Sequence, residues 1–266
     1  MLMTLQLMDS VRQILAAVEK SSGKTITYIE KPDLSAPVSF NLAGKDDPQL
    51  MLFYRSHDDE DVNYDVANQA GHLLRLFAAP PEERFVSLAN RRTMARFIME
   101  TESELERLSS LLGRDTVRKM ISLWYQGVVF QLTRMPPDIM VNKRLYDDWP
   151  ELRPLLLQAI AAQLRQAIPS LSPNVRRATP ARIYRAANIM NFVFFKCLED
   201  HFRSDFLGPY HGTIFILDGA PLARITAVWG RNDHAGDRIM IDRWAAELEL
   251  NNWYEWQPYV TFSSHN

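Results

Sequence analysis

The stretch Asn63-Tyr-Asp-Val-Ala-Asn68-Gln69-Ala-Gly-His72-Leu-Leu-Arg-Leu-Phe77 has the period of an amphipathic helix. Val66, Leu73, Leu74 and Phe77 collect on one side of such a helix, which predicts helix over roughly 62–78. Asp58-Asp-Glu-Asp61 stands in front of it, where the positive end of the macrodipole favours acid, and Pro80-Pro81 stops it. Before the acids the texture is different. Thr25–Glu30 alternates as a strand does, Val38–Leu42 is short and β-like, and Leu50–Tyr54 is apolar, with Pro- and Asp-rich turns between them. These predict a small three-stranded sheet. A first helix over 4–20 precedes it, with Leu5, Met8, Val11, Ile14, Leu15 and Val18 on one stripe and Ser21-Ser-Gly-Lys24 as its end.

The polar face of the 62–78 helix carries Asn68, Gln69 and His72. Zinc peptidases carry His-Glu-x-x-His on a helix: the four-residue spacing puts both imidazoles on one side of one ion, and the glutamate activates the bound water. Here the pattern reads Asn68-Gln69-Ala-Gly-His72. With its apolar surround and the order helix, small sheet, helix, the chain resembles the compact zincins, specifically the ImmA/IrrE-like metallopeptidase group, over residues 1–150. The resemblance implies that His72 stands where the second zinc ligand would be, Asn68 where the first would be, and Gln69 where the general base would be. An asparagine amide is a poor zinc ligand, and a glutamine has no carboxylate to take a proton from water. A third ligand would come from a later helix. Glu100, Glu102 and Glu104 are available, as is the segment Pro136-Pro-Asp-Ile-Met-Val-Asn142, where Asn142 would be an amide in place of an acid. Read without the resemblance, the same helix is an ordinary one with a buried apolar face and His72 hydrogen-bonded inside.

Downstream the chain reads as helical. Helix is predicted over 83–112 in two pieces, over 116–134, from Pro136 to Trp149, and from Pro150 to Ile168. The helix over 116–134 carries Trp124, Tyr125, Val128, Phe130 and Leu132 nearly all round, the pattern of a buried central helix. Residues 169–180 are the best linker candidate. A long helix over 181–203 follows, then a short strand or buried turn at Thr213–Leu217 and helices over 219–230 and 236–250. This divides the chain into a metallopeptidase-like region, 1–168, and a helical C-terminal region, 181–266, packed on it, with a single domain as the alternative. The fold class expected is α+β, predominantly helical, with a small N-terminal sheet. Trp244, Trp253 and Trp256 either close the core or form a binding surface, and closing the core is preferred.

Composition narrows the rest. With 47% apolar and 23% charged residues and a net charge of −2, the 266-residue chain can bury a sizeable core and has no global field for nucleic acid or anionic membrane. The single cysteine, Cys197, sits in an apolar run and reads as a core residue. One cysteine forms no intrachain disulfide, which fits the cytoplasm. No segment reaches the ~18 apolar residues of a membrane span. Arg176, Arg177, Arg182 and Arg185 form a basic cluster that reads as a solvated patch or as salt bridges, and the candidate binding residues are Asn142, Arg176 and Arg177. His201 and His211 flank Asp205 and read as surface or capping residues. The functional expectation is a non-catalytic, metallopeptidase-like protein that binds a protein or peptide. No cofactor is expected, no membrane partner is expected, nucleic acid is not favoured, and oligomeric state is left open. Two alternatives stand beside it: an atypical metal-dependent hydrolase holding zinc through His72, Glu100 and Glu104, and a helical DNA-associated regulator.

Overall fold

The computed structural model describes residues 5–55 and 62–261. The acidic segment 58–61, His57 and His265 lie outside the described residues. Helix α1 (Asp9–Ser22) ends at Gly23, which takes the left-handed conformation (φ 71°) that glycine adopts without steric cost. It starts later than its apolar stripe predicts. Val11, Ile14, Leu15 and Val18 are buried, whereas Leu5 and Met8 precede the helix and only lean on the core. Strands β1 (Thr25–Glu30), β2 (Val38–Asn41) and β3 (Gln49–Tyr54) form the expected sheet in the order β1-β3-β2. β1 runs parallel to β3 with Ile26 opposite Leu50, and β2 runs antiparallel with Phe40 opposite Leu52. β2 is therefore an edge. Helix α2 (Val62–Ala78) matches the predicted helix and packs on α1 and on β2.

Between α2 and the next helices the sequence reading fails. Phe85–Leu88 is strand β4, not helix; only α3 (Arg91–Glu100) and α4 (Glu102–Leu112) are helical in that region. Its partner, β5 (Glu255–Pro258), is 165 residues away or more, in the aromatic tail. Four residues without regular alternation carry no strand signal until the partner is in place.

Helix α5 (Arg114–Asp148) is the central element, a single helix where a break between 134 and 136 was expected. Pro136 and Pro137 lie inside it. An interior proline costs about 3 kcal/mol through a lost hydrogen bond and a clash. Here both prolines are buried and their neighbours Leu132, Met135, Ile139 and Val141 are buried on either side, so packing offsets that cost. α5 is not covered all round as its composition suggested. Trp124, Tyr125, Val128 and Leu132 are buried, but Phe130 is 67% exposed and Leu123 60%.

Helix α6 (Arg153–Ala167) follows a 3-10 turn, and the presumed linker is itself folded, as a 3-10 turn (Ile168–Leu171) and a short helix α7 (Pro173–Ala178) capped by Ser172. Helix α8 (Ala181–Phe202) packs along α5. The segment at 213–217 is neither strand nor simple turn, because Phe215–Asp218 forms a short helix, α9. Helices α10 (Ala220–Trp229) and α11 (His234–Glu247) complete the C-terminal part, and α11 packs on both α5 and α2. Trp244 and Trp253 are wholly buried and Trp256 partly so, which places the aromatic tail in the core as preferred. Cys197 is buried, and burial pushes its thiol up to about 11. The fold is α+β and predominantly helical, as expected. Among the described residues no helix is long and apolar enough to cross a membrane.

The approach of α2 to α5 depends on Gly71. A Cβ there would lie 2.6 Å from Val141 Cγ1. Gly71→Ala should therefore destabilise the protein by about 1–3 kcal/mol through overpacking, although alanine is the better helix former. Urea denaturation measures the loss, and adding Val141→Ala should restore part of it.

Candidate functional site

The site-bearing faces of α2 and α5 meet in register. Tyr64, Asn68 and His72 are spaced four apart on α2, and Arg134, Asp138 and Asn142 are spaced four apart on α5, so each trio forms one stripe. Asp138 is the hub. His72 Nε2 lies 2.6 Å from Asp138 Oδ1, and Asn68 Nδ2 donates to the same oxygen at 2.9 Å. Arg134 Nη2 donates to Asn68 Oδ1 at 3.0 Å, and its Nε lies 3.8 Å from Asp138. Asn142 Nδ2 donates to the Asp138 main-chain carbonyl at 2.8 Å, and Tyr64 Oη donates to Asn142 Oδ1 at 2.8 Å. Each amide in this seam has one end donating and the other accepting, the arrangement a buried asparagine needs.

The charges follow from the geometry. Burial lowers the His72 pKa to about 4, with the Arg134 cation working in the same direction and the contact with Asp138 opposing. The neutral ring therefore donates its Nε2 proton to the Asp138 carboxylate. For Asp138, burial acts upward, but Arg134 and the hydrogen bonds from His72 and Asn68 outweigh it and hold the group below its usual range.

Gln69, beside this cluster, faces the sheet. Its Oε1 accepts from Phe40 N–H at 3.0 Å and its Nε2 donates to Val38 C=O at 2.9 Å. Val38 and Phe40 are the residues of edge strand β2 that face away from β3, so the amide closes two of the edge's open main-chain groups at once. A carboxylate could accept one of these bonds but could not make the other. Gln69 is thus a structural buckle, and the β2 edge is already partly occupied.

A zinc ion does not fit the residues that are present. Asn68 turns its donor end to Asp138, and the guanidinium of Arg134 brings positive charge to the place where an ion would bring it. Glu100 is committed elsewhere: it accepts from Trp253 Nε1 at 2.8 Å and Asn252 Nδ2 at 2.8 Å and pairs with Arg182 at 3.2 Å. Glu104 accepts from the main-chain N–H of Arg182 at 3.3 Å. The structure therefore does not bring Glu100 and Glu104 to His72, and among the described residues no group of three His, Cys, Asp or Glu could hold an ion. Asn142 is in the seam and wholly buried, so it is a structural member of the cluster and not a surface contact. Arg176 and Arg177 are exposed on α7, where Arg177 bonds to Asn174, whereas Arg182 and Arg185 pair with Glu100 and Asp218. His201 bonds Asp147 at 3.0 Å, and His211 is exposed.

Sequence reasoning missed Arg134 and Arg75, and it had Asp138 only as one member, not singled out, of the Pro136–Asn142 segment. The stripe Arg134, Asp138 and Asn142 was hidden by the break that Pro136-Pro137 suggests locally. Arg75, on α2, is buried and spreads its guanidinium over Asp237, Asn232 and the carbonyls of Arg231 and Asp233, 156–162 residues away. On its sequence position alone it looks like an ordinary helix-surface residue.

No family model, curated protein or solved structure matches the chain. The site is read from its own geometry.

Two outcomes follow from it. His234 is a second buried histidine: its Nε2 accepts from Phe85 N–H at 3.2 Å, and burial with Arg238 nearby lowers its pKa to about 4. Both histidines have folded pKa values below the unfolded value of about 6.5. Unfolding therefore takes up protons between about pH 6.5 and 4, and stability falls as pH falls through that window, by up to ~1.4 kcal/mol per pH unit per histidine. Denaturation midpoints measured from pH 7 to 4 should show this slope, and His72→Gln or His234→Gln should each flatten it. A slope unchanged in both variants would assign it to other groups. Gln69→Glu, which keeps the acceptor and removes the donor, should cost about 1–3 kcal/mol at neutral pH, measured by urea denaturation.

Proposed function

We propose that the chain is a non-catalytic binding protein with a metallopeptidase-like helix pair, and that its partner is a protein or peptide. The observation that carries the first half is the Asp138 hub. His72, the one residue matching the peptidase motif as a ligand, gives its proton to Asp138, and Arg134 supplies the neighbouring positive charge. Water activation needs a base within reach of a polarised water. Gln69 is not a base, and both ends of its amide are bonded to β2. Nothing in this seam is left to take up a proton at neutral pH, since Asp138 is held below the usual carboxylate range. The cluster works instead as a rigid joint between α2 and α5.

The second half is supported by the faces the joint leaves open. The β2 edge, where an extended peptide would lie in a peptidase, is partly closed by Gln69, so that edge does not serve as the partner's seat. Exposed apolar side chains on α5 offer another surface. Non-catalytic use of a rigid scaffold with an open apolar face is the reading that accounts for both features.

Protein purified without chelator and then equilibrated with zinc should retain no stoichiometric metal after dialysis, and it should not cleave casein. Zinc that survives dialysis, together with casein cleavage that a chelator abolishes, would overturn the proposal. The variant Asn68→His/Gln69→Glu should gain little zinc affinity while Arg134 remains. Adding Arg134→Ala should raise that affinity at least ~10-fold, because a cation next to the site opposes a second one.

A further inference from the structure

The exposed face of α5 and the open edge of β4 bound one recess of about 540 Å³. Its floor and one wall carry Leu123, Gly127 and Phe130, and Ser87 and Ala89 form the other wall. Three features there are left unexplained by the fold.

The first is the strand edge. Tyr259 N–H donates to Arg84 C=O at 2.8 Å, and β4 pairs with β5 with Phe85 opposite Pro258 and Ser87 opposite Trp256. In an antiparallel pair the bonded positions alternate, so Arg84, Val86 and Leu88 bond to β5, and Phe85 and Ser87 face the other way. Pro258, which has no N–H to give, occupies a position consistent with this. So does the Phe85 N–H, which turns out to His234. Ser87 is on the same edge and lines the recess, and the pairing register turns its main-chain N–H and C=O away from β5, with no cap among the described residues.

The second feature is Gly127. Glycine is a poor helix former, and a Cβ at this position would meet nothing within 4 Å. No neighbour among the described residues requires its smallness. A backbone approaching from outside would.

The third is the apolar stripe with a charge at its end. Leu123, Gly127 and Phe130 follow one another at four- and three-residue spacing, and Lys119 stands one turn before Leu123 on the same face. Lys119 is exposed and has no ion-pair partner among the described residues. Beyond Phe130 the stripe reaches a smaller recess with Arg134, Asp138 and Asp65, where two carboxylates face one guanidinium. The cationic end of the stripe is therefore the Lys119 end. From Lys119 to Phe130 the helix rises about 17 Å, the span of about five extended residues.

We propose that this recess receives an extended segment of a partner protein, which adds a strand to the open edge of β4. The segment is apolar in its middle, where it rests on Leu123, Gly127 and Phe130, and it places an acidic side chain against Lys119. Main-chain pairing at an exposed edge with side chains held in an adjacent groove is an established way of binding peptides. The inference rests on the partner-binding half of the function proposed above and locates it.

The test uses the full chain immobilised and panned against a phage library of random decapeptides. Each enriched peptide is then synthesised and its affinity measured by fluorescence anisotropy. Enriched peptides should combine adjacent apolar residues with an Asp or Glu. Their affinity should fall at least ~10-fold with Phe130→Arg and with Gly127→Met, a loss typical of a central interface residue. Lys119→Glu and Ser87→Pro, which reverses the end charge or removes the edge donor, should each weaken binding ~3- to 10-fold. Gly127→Ala should raise the thermal midpoint while weakening the peptide, a pair of effects that a purely structural glycine would not give. Circular dichroism on every variant confirms the fold.

Peptides that bind all variants as they bind the wild type would overturn the recess while leaving a partner elsewhere on the protein. A wild-type dimer in sedimentation equilibrium that Phe130→Arg dissociates would assign the recess to a second copy and overturn it as well. Failure to enrich any sequence on folded wild-type protein would overturn the recess and leave the partner-binding reading without support. The non-catalytic half is decided separately by zinc retention and casein cleavage.

Discussion

Asp138 accepts from His72 and Asn68 through one oxygen, and its main-chain carbonyl accepts from Asn142, so three residues on two helices are oriented by a single residue. A buried carboxylate is costly unless it is compensated, and here the compensation comes from both helices at once. Rotating either helix, or sliding it by one turn, would leave Asp138 short of donors. The seam therefore fixes the register of α2 against α5, and Gly71 fixes their distance. From α2 the order passes to β2 through Gln69 and to α11 through Arg75. From α5 it passes to α8 and α4 by packing. Most of the molecule is referred to one helix pair whose contact surface is polar at its centre and apolar around it.

A polar centre of this kind does little for net stability compared with an apolar one of the same shape, but it discriminates strongly between arrangements. This suits a joint better than a reaction centre. A catalytic group has to be short of a partner in the ground state, so that substrate can supply it. In this seam the amides are satisfied at both ends, and the neutral imidazole already has its acceptor.

How much of this the sequence disclosed depends on range. The three strands of the first sheet, α2 and α8 are set by local period and by turns, and they are where the period puts them; α1 is there too but begins later than its stripe. The Asn68-Gln69-His72 face was visible as a polar stripe. Its partner stripe on α5 was not, because Pro136-Pro137 reads locally as a break, and the packing that overrides it comes from distant parts of the chain. β4 and β5 were unreadable for the same reason: neither has a strand pattern of its own. Phe130 shows the limit in the other direction, since composition counts it as core while the structure leaves it open. Glu100 and Glu104 looked available as ligands because nothing local engages them, whereas Arg182, Asn252 and Trp253 do so from far along the chain.

The buried guanidinium of Arg75 bears on how the chain is made. All three of its nitrogens find acceptors on residues 231–237, more than 150 positions later in the sequence. At a ribosomal rate of about 5–20 residues per second, the interval between the emergence of α2 and that of its counter-ion is on the order of ten to thirty seconds. During that interval the face of α2 that carries Arg75 is uncovered, and its guanidinium is held by water. Docking of α11 exchanges that water for Asp237, Asn232 and two main-chain carbonyls in one step. A cation buried without those partners would be costly, so α11 has one docked arrangement on α2 that is tolerated.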